Sequence, residues 1–248
     1  MSTTLLLLHG FPHDHTLWAP QIDAFQGTVH VLTPDLRGFG RDERPVPGVM
    51  TMDAYADEVI ALLDEQGIGQ AVIAGLSMGG YVALSMVERY PHRVKALVLC
   101  NTRATADDEQ GRAGREATAQ RALEQGMGAI ARGMVQQLLS PATRQERPEL
   151  AAHLERMMAR QRPDAVAAAA RGMALRPDRL ALLPRIKAPT LVITGAMDTL
   201  MPLPSSTAMA DRIPGSRLVI IPGAAHLSNL EDPDAFNAEL ARFLADVA

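Results

Sequence analysis

Ser77 stands between glycines in Gly75-Leu76-Ser77-Met78-Gly79-Gly80, behind the apolar run Ala71-Val72-Ile73-Ala74 and ahead of Tyr81-Val82-Ala83-Leu84-Ser85-Met86-Val87. A buried strand entering such a turn, with a helix starting at once behind it, is the setting of a nucleophile elbow. The turn is so tight that only glycine fits beside the serine, whose hydroxyl is left exposed above the sheet. Taken alone, the stretch also reads as a strand-to-helix turn in which the serine is an N-cap. A serine hydroxyl is a poor nucleophile until a base takes its proton, and an imidazole in that role needs a partner to orient it. His226 closes Pro222-Gly223-Ala224-Ala225-His226 and Asp198 closes Thr194-Gly195-Ala196-Met197-Asp198, each just past an apolar run. Singly they read as a loop histidine and a turn aspartate; together with the elbow they point to acyl transfer. The oxyanion of such a reaction needs donors. The backbone N–H of Met78 is one, and that of Phe11, behind His9-Gly10, is the other. His9 itself is expected to brace that loop by hydrogen bonds rather than to act as the base.

The elements that must position these groups alternate. Strands are expected at Leu5 to Leu8, His30 to Pro34, Ala71 to Ala74, Ala96 to Cys100, Thr190 to Thr194 and Arg217 to Ile221, with helices between them. Thr16 to Phe25 reads as one short helix. Thr51 caps another that carries Met52, Tyr55, Val59, Leu62 and Leu63, and Asp232-Pro233 opens a last one carrying Phe236, Leu240, Phe243 and Leu244. Strand and helix in alternation make a doubly wound, mostly parallel α/β sheet. Ligand sites in such sheets lie beyond the carboxyl ends of the strands, which is where Ser77, Asp198 and His226 fall. From Thr102 to Lys187 the texture changes: aromatic residues are absent, Arg, Ala, Gln and Met abound, and Pro141, Pro148, Pro163, Pro177 and Pro184 divide the stretch into helical lengths. Residues 1–101 and 188–248 are therefore assigned to the core and 102–187 to a helical cap.

The 248 residues are 47% hydrophobic and 21% charged, with a net charge of −4. That composition supports one substantial core and gives no basic field for nucleic acid or an anionic membrane, so the expected partner is a small molecule. Cys100 is the single cysteine, which leaves no internal disulfide and no cysteine-based zinc site. The run Leu5 to Leu8 is too short for a signal-peptide core or a membrane span, and the chain reads as cytoplasmic. No cofactor is implied, and a metal site built on His13 and His15 lacks a companion cluster.

The motifs His9-Gly10-Phe11-Pro12, Asp35-Leu36-Arg37-Gly38-Phe39-Gly40, Gly75 to Gly80, Gly195 to Asp198 and Gly223 to His226 together resemble the α/β-hydrolase superfamily, in its esterase, enol-lactonase and haloperoxidase-like branch. The resemblance spans nearly the whole chain. It implies a triad of Ser77, His226 and Asp198, an oxyanion hole from Phe11 and Met78, and a helical cap between the family's sixth and seventh strands. Many relatives carry an N-terminal hairpin that is missing here, so a sheet of about six strands is expected. Epoxide hydrolases and haloalkane dehalogenases of similar layout carry an aspartate at the elbow, which Ser77 disfavours. Some relatives place the acid after the sixth strand, where this chain has Asn101, which favours Asp198.

The expected activity is hydrolysis of a small carboxylic ester, with water releasing the acyl group. Enol-lactone or carbon–carbon bond hydrolysis by the same triad is an alternative, and a slow-turnover small-molecule receptor on the same fold is another. Trp18, Met127, Met134 and Met157 are candidates for the substrate pocket, as thioethers adapt to apolar ligands, and His13 and His15 for its entrance. Residues 102 to 187 carry a charge of +5 against −9 for the remainder. An anion-steering lid would explain this; a solvated arginine-rich surface is the simpler reading.

Overall fold

Every residue of β1 (Thr4–Leu8) is buried, because the strand is covered on both faces in the computed structural model, which describes residues 3–247. Leu6 and Leu8 enter one apolar cluster, Leu5 and Leu7 another. Side chains alternate along a strand, so an unbroken apolar run fits a sheet with a core on each side. β2 (His30–Leu32), β3 (Ala71–Leu76), β4 (Val94–Cys100), β5 (Thr190–Gly195) and β6 (Arg217–Ile221) complete the sheet. The order is β2-β1-β3-β4-β5-β6, and every neighbouring pair is parallel. The chain runs outward from β1 to β2, then crosses back to β3. Winding thus reverses between β1 and β3, the position where open α/β sheets form a crevice.

Helices α1 (Ala19–Phe25), α2 (Met52–Glu65) and α3 (Met78–Arg89) follow the first three strands in turn. Tyr55 and Val59 of α2 and Tyr81 and Val82 of α3 fill the first cluster. The expected caps form: Thr51 Oγ1 accepts the Ala54 N–H at 3.1 Å. The helix expected over Thr16 to Phe25 is instead split. Asp14 caps a single 3-10 turn at His15–Trp18, and α1 starts afresh at Ala19. Pro20, near the start of α1, lacks the N–H that a helix continuing from Thr16 would require.

Five helices are inserted between β4 and β5: α4 (Glu109–Gln125), α5 (Met127–Leu138), α6 (Pro141–Glu146), α7 (Pro148–Ala159) and α8 (Pro163–Ala174). Proline is the first residue of α6, α7 and α8, where its missing N–H costs no helical hydrogen bond. These helices have no separate core. Val166 to Ala170 and Met173 join the first cluster, whereas Val135, Leu138 and Leu154 join the second. The backbone of α8 touches the loop before α2, where the Met50 N–H donates to Ala168 O at 3.0 Å.

α9 (Leu203–Ala210) follows β5; α10 (Ser228–Glu231) and α11 (Pro233–Asp246) follow β6. Phe236, Leu240, Phe243 and Leu244 of α11 close the second face, each large apolar side chain removed from water stabilising the fold by about 1.5–3 kcal/mol. Among the described residues, no helix is long and apolar enough to cross a membrane.

Candidate active site

Ser77 stands between β3 and α3 with φ 54° and ψ −111°, a conformation rarely adopted by a residue with a side chain. The neighbouring glycines make room for it. A Cβ on Gly75 would lie 2.2 Å from Gly79 O, and one on Gly79 would lie 2.2 Å from Leu8 O. The elbow is anchored through its backbone: Ser77 N–H donates to Cys100 O at 2.9 Å, and the Thr102 hydroxyl donates to Ser77 O at 2.8 Å. Ser77 occupies the N-cap position of α3, but its side chain makes no capping hydrogen bond. The hydroxyl is thus not spent on the helix.

His226 follows β6 and Asp198 follows β5, and the two meet: His226 Nδ1 lies 2.9 Å from Asp198 Oδ2. A carboxylate at Nδ1 holds the proton on that nitrogen and leaves Nε2 as the basic one. Asp198 is itself held on all sides. Its Oδ1 accepts the N–H groups of Leu200 and Met201, each at 2.9 Å, and its Oδ2 also accepts Asn101 Nδ2–H at 2.8 Å. Burial alone would raise the carboxyl pKa, but the His226 charge and these hydrogen bonds outweigh it and keep Asp198 below the usual carboxylate range.

Asn101, singled out in the sequence only as a position where an acid could stand, is a bracing residue. It also donates to Ala225 O at 3.0 Å and accepts the Ser228 hydroxyl at 2.6 Å. The inserted helices take part as well. Leu138 O, at the end of α5, accepts the His226 N–H at 3.1 Å, and Glu231 bonds to both the Ala225 and Ser140 N–H groups.

Phe11, Ser77 and His226 line one cavity of about 360 Å³. The Met78 N–H is the first of α3, and neither it nor the Phe11 N–H has a protein acceptor among the described residues. First-turn amides are left over by helix geometry and are natural anion donors. His9 braces the loop between β1 and α1: its Nδ1 lies 2.9 Å from Gly10 O, and its Nε2 accepts the Leu36 N–H at 3.0 Å. Burial lowers its pKa, so this imidazole is neutral with Nδ1 carrying the proton.

The expected pocket residues divide. Met134 lines the cavity, with Met173 and Met201. Trp18, Met127 and Met157, expected to line it, do not; they are packing residues. Trp18 is fully buried against Phe236, ring centroids 6.1 Å apart; Met127 lies in the first apolar cluster and Met157 in the second. His15 turns away to pair with Asp35, Nδ1 to Oδ1 2.8 Å. Asp14, His15 and Asp35 are close enough together to hold an ion, but their atoms already bond to Thr16, Arg160, Gln161 and Arg41 or to one another. His13 is buried with neither ring nitrogen partnered among the described residues. Burial, and then the nearby His9 and His226, push its pKa down to about 3. Among the lining residues that the sequence does not single out are Arg103, Arg115 and Arg121, from the β4–α4 loop and α4.

The model of the alpha/beta hydrolase fold family matches residues 3–233. The chain is 32% identical over 225 residues to 3-oxoadipate enol-lactonase 2 of Acinetobacter baylyi, covering 90% of this chain and 81% of that one. A thermophilic esterase from Thermogutta terrifontis, solved with malate bound, superposes with a TM-score of 0.97 at 40% identity, over 100% of this chain and 91% of that one. The enol-lactonase from Burkholderia xenovorans superposes with a TM-score of 0.92 at 28% identity, over 99% and 92%. On this match and the sheet, elbow and loops that carry it, the chain belongs to the alpha/beta hydrolase fold family.

Proposed function

We propose that the protein hydrolyses a small carboxylic ester through an acyl-enzyme on Ser77. The observation that carries this reading is the 2.9 Å bond between His226 and an Asp198 held by three further hydrogen bonds, in a chain whose elbow serine shares a cavity with that histidine. Ser77 Oγ attacks the carbonyl carbon as His226 Nε2 takes its proton. The carbonyl oxygen becomes an oxyanion received by the Phe11 and Met78 N–H groups. Collapse of the tetrahedral species breaks the bond to the alcohol, which leaves with the proton from His226. Water then repeats the sequence, giving the acid and free Ser77. Asp198 orients the imidazole and stabilises its cation. A lactone is an internal ester and follows the same steps, a second reading favoured by the enol-lactonases among the similar proteins.

The test is steady-state hydrolysis of p-nitrophenyl esters from acetyl to decanoyl, with Ser77→Ala alongside. Repeated turnover abolished in the variant supports the proposal. A single stoichiometric burst, or full activity in Ser77→Ala, refutes it.

A further inference from the structure

The cavity at Ser77 is lined by three arginines, Arg103, Arg115 and Arg121, and by no aspartate or glutamate among the described residues. Several arginines of the inserted stretch pair with acids of their own, on the surface or, for Arg179, buried. Arg171 meets Glu116 at 2.8 Å, Arg162 meets Asp164 at 2.6 Å, and Arg179 meets Asp53 at 2.7 Å. The cavity arginines are different. Arg103 and Arg115 both reach the buried Asp107, but so does Arg176, which engages both its oxygens at 2.7 Å and stacks over Tyr81 at 4.2 Å. One carboxylate is thus shared by three guanidiniums. Arg121 has no carboxylate within ion-pair distance among the described residues, and the Nε of Arg103 is buried with no acceptor. Arg115, Thr118 and Arg121 recur at three-residue spacing and so lie on one side of α4. Asp107 therefore orients two of these forks without neutralising them, and they face the space that Ser77 and His226 share.

Resting on the ester-hydrolase reading above, we propose that the substrate carries a second acidic group, and that Arg103, Arg115 and Arg121 form the subsite that holds it. Guanidinium forks match carboxylate and phosphate oxygens in pairs, and the volume suits an acyl chain of a few carbons ending in such a group. The neutral substrate of equal length leaves those charges unmet.

The test compares kcat/KM for monomethyl glutarate, for its uncharged counterpart methyl hexanoate and for methyl phosphonobutanoate, followed by proton release. The charged esters are expected to exceed the neutral one by about tenfold or more, from charge-assisted hydrogen bonds. The ratio should collapse towards one in Arg121→Gln and as ionic strength rises to about 0.5 M, and should persist in Arg242→Gln on α11. Whichever of the two charged esters is faster identifies the acidic group. Equal rates for charged and neutral esters, or a preference unmoved by Arg121→Gln, overturn the proposal. Calorimetric titration of glutarate separates the two readings. Binding that is lost in Arg121→Gln, with no ester hydrolysed, would support the anion subsite and refute the hydrolase reading; no binding and no charged-ester preference would overturn the subsite alone.

Discussion

Replacing His13 by leucine should make the protein more resistant to acid, by an amount set by the histidine's burial. Its ring is buried, both nitrogens lack a protein partner, and its pKa falls from 6.5 to about 3 in the folded state. The unfolded chain therefore binds a proton as the pH drops through 6.5, whereas the folded chain does not. Stability is fully present above that pH and is lost progressively down to about pH 3. At about 1.4 kcal/mol per pH unit for one proton, the loss attributable to His13 between pH 7 and pH 4 is ~3 kcal/mol. His9, lowered in the same direction by burial, adds to the fall in both proteins and cancels in their difference. Asp14, held at about 2 although burial opposes this, contributes only at the acid end, below the ordinary aspartate range. Urea unfolding followed by the fluorescence of the single tryptophan, Trp18, at pH 7, 5.5 and 4 measures the difference. His13→Leu should be close to wild type or slightly more stable at pH 7, since an unpaired buried polar group is removed, and should gain about 3 kcal/mol on wild type by pH 4. A difference that is the same at both pH values would refute the reasoning.

Three further outcomes follow from the same geometry. Asp198→Asn keeps the shape but presents an N–H to His226 Nδ1, favouring the wrong tautomer, so kcat should fall by about 10⁴; a loss under tenfold would contradict the assigned role. Gly79→Ala forces a methyl group to within 2.2 Å of Leu8 O, backbone that cannot yield cheaply, and should cost more than about 3 kcal/mol in urea unfolding. Asp107→Asn leaves Arg176 buried without its counter-charge and should destabilise the fold by about 3–5 kcal/mol, read as a lower urea midpoint.

The motifs that were legible in the sequence are those in which local chemistry and strand position coincide. Ser77 needs its glycines because of backbone atoms within a few residues or on the adjacent strand, and the apolar run of β1 needs both faces of the sheet covered. The pocket was harder because its walls are decided by helix orientation. Met127 and Met134 lie seven residues apart on the same side of α5, yet one is sealed in the first apolar cluster and the other lines the cavity. Trp18 follows the loop that carries Phe11, but its ring is claimed by Phe236 from the far end of the chain. Asn101 sits at a positive φ of 45° at the end of β4, and its role depends on Asp198, Ala225 and Ser228 converging there from later loops. The excess of positive charge on the inserted helices was visible as a count; which arginines are neutralised by acids was not.

Labelling with a fluorophosphonate, followed by intact-mass measurement and peptide mapping, tests the nucleophile most directly. One adduct per chain is expected, on Ser77, absent in Ser77→Ala and formed far more slowly in His226→Ala. An adduct on another residue, or ester turnover by a chain that carries no label after exposure to the reagent, would contradict it.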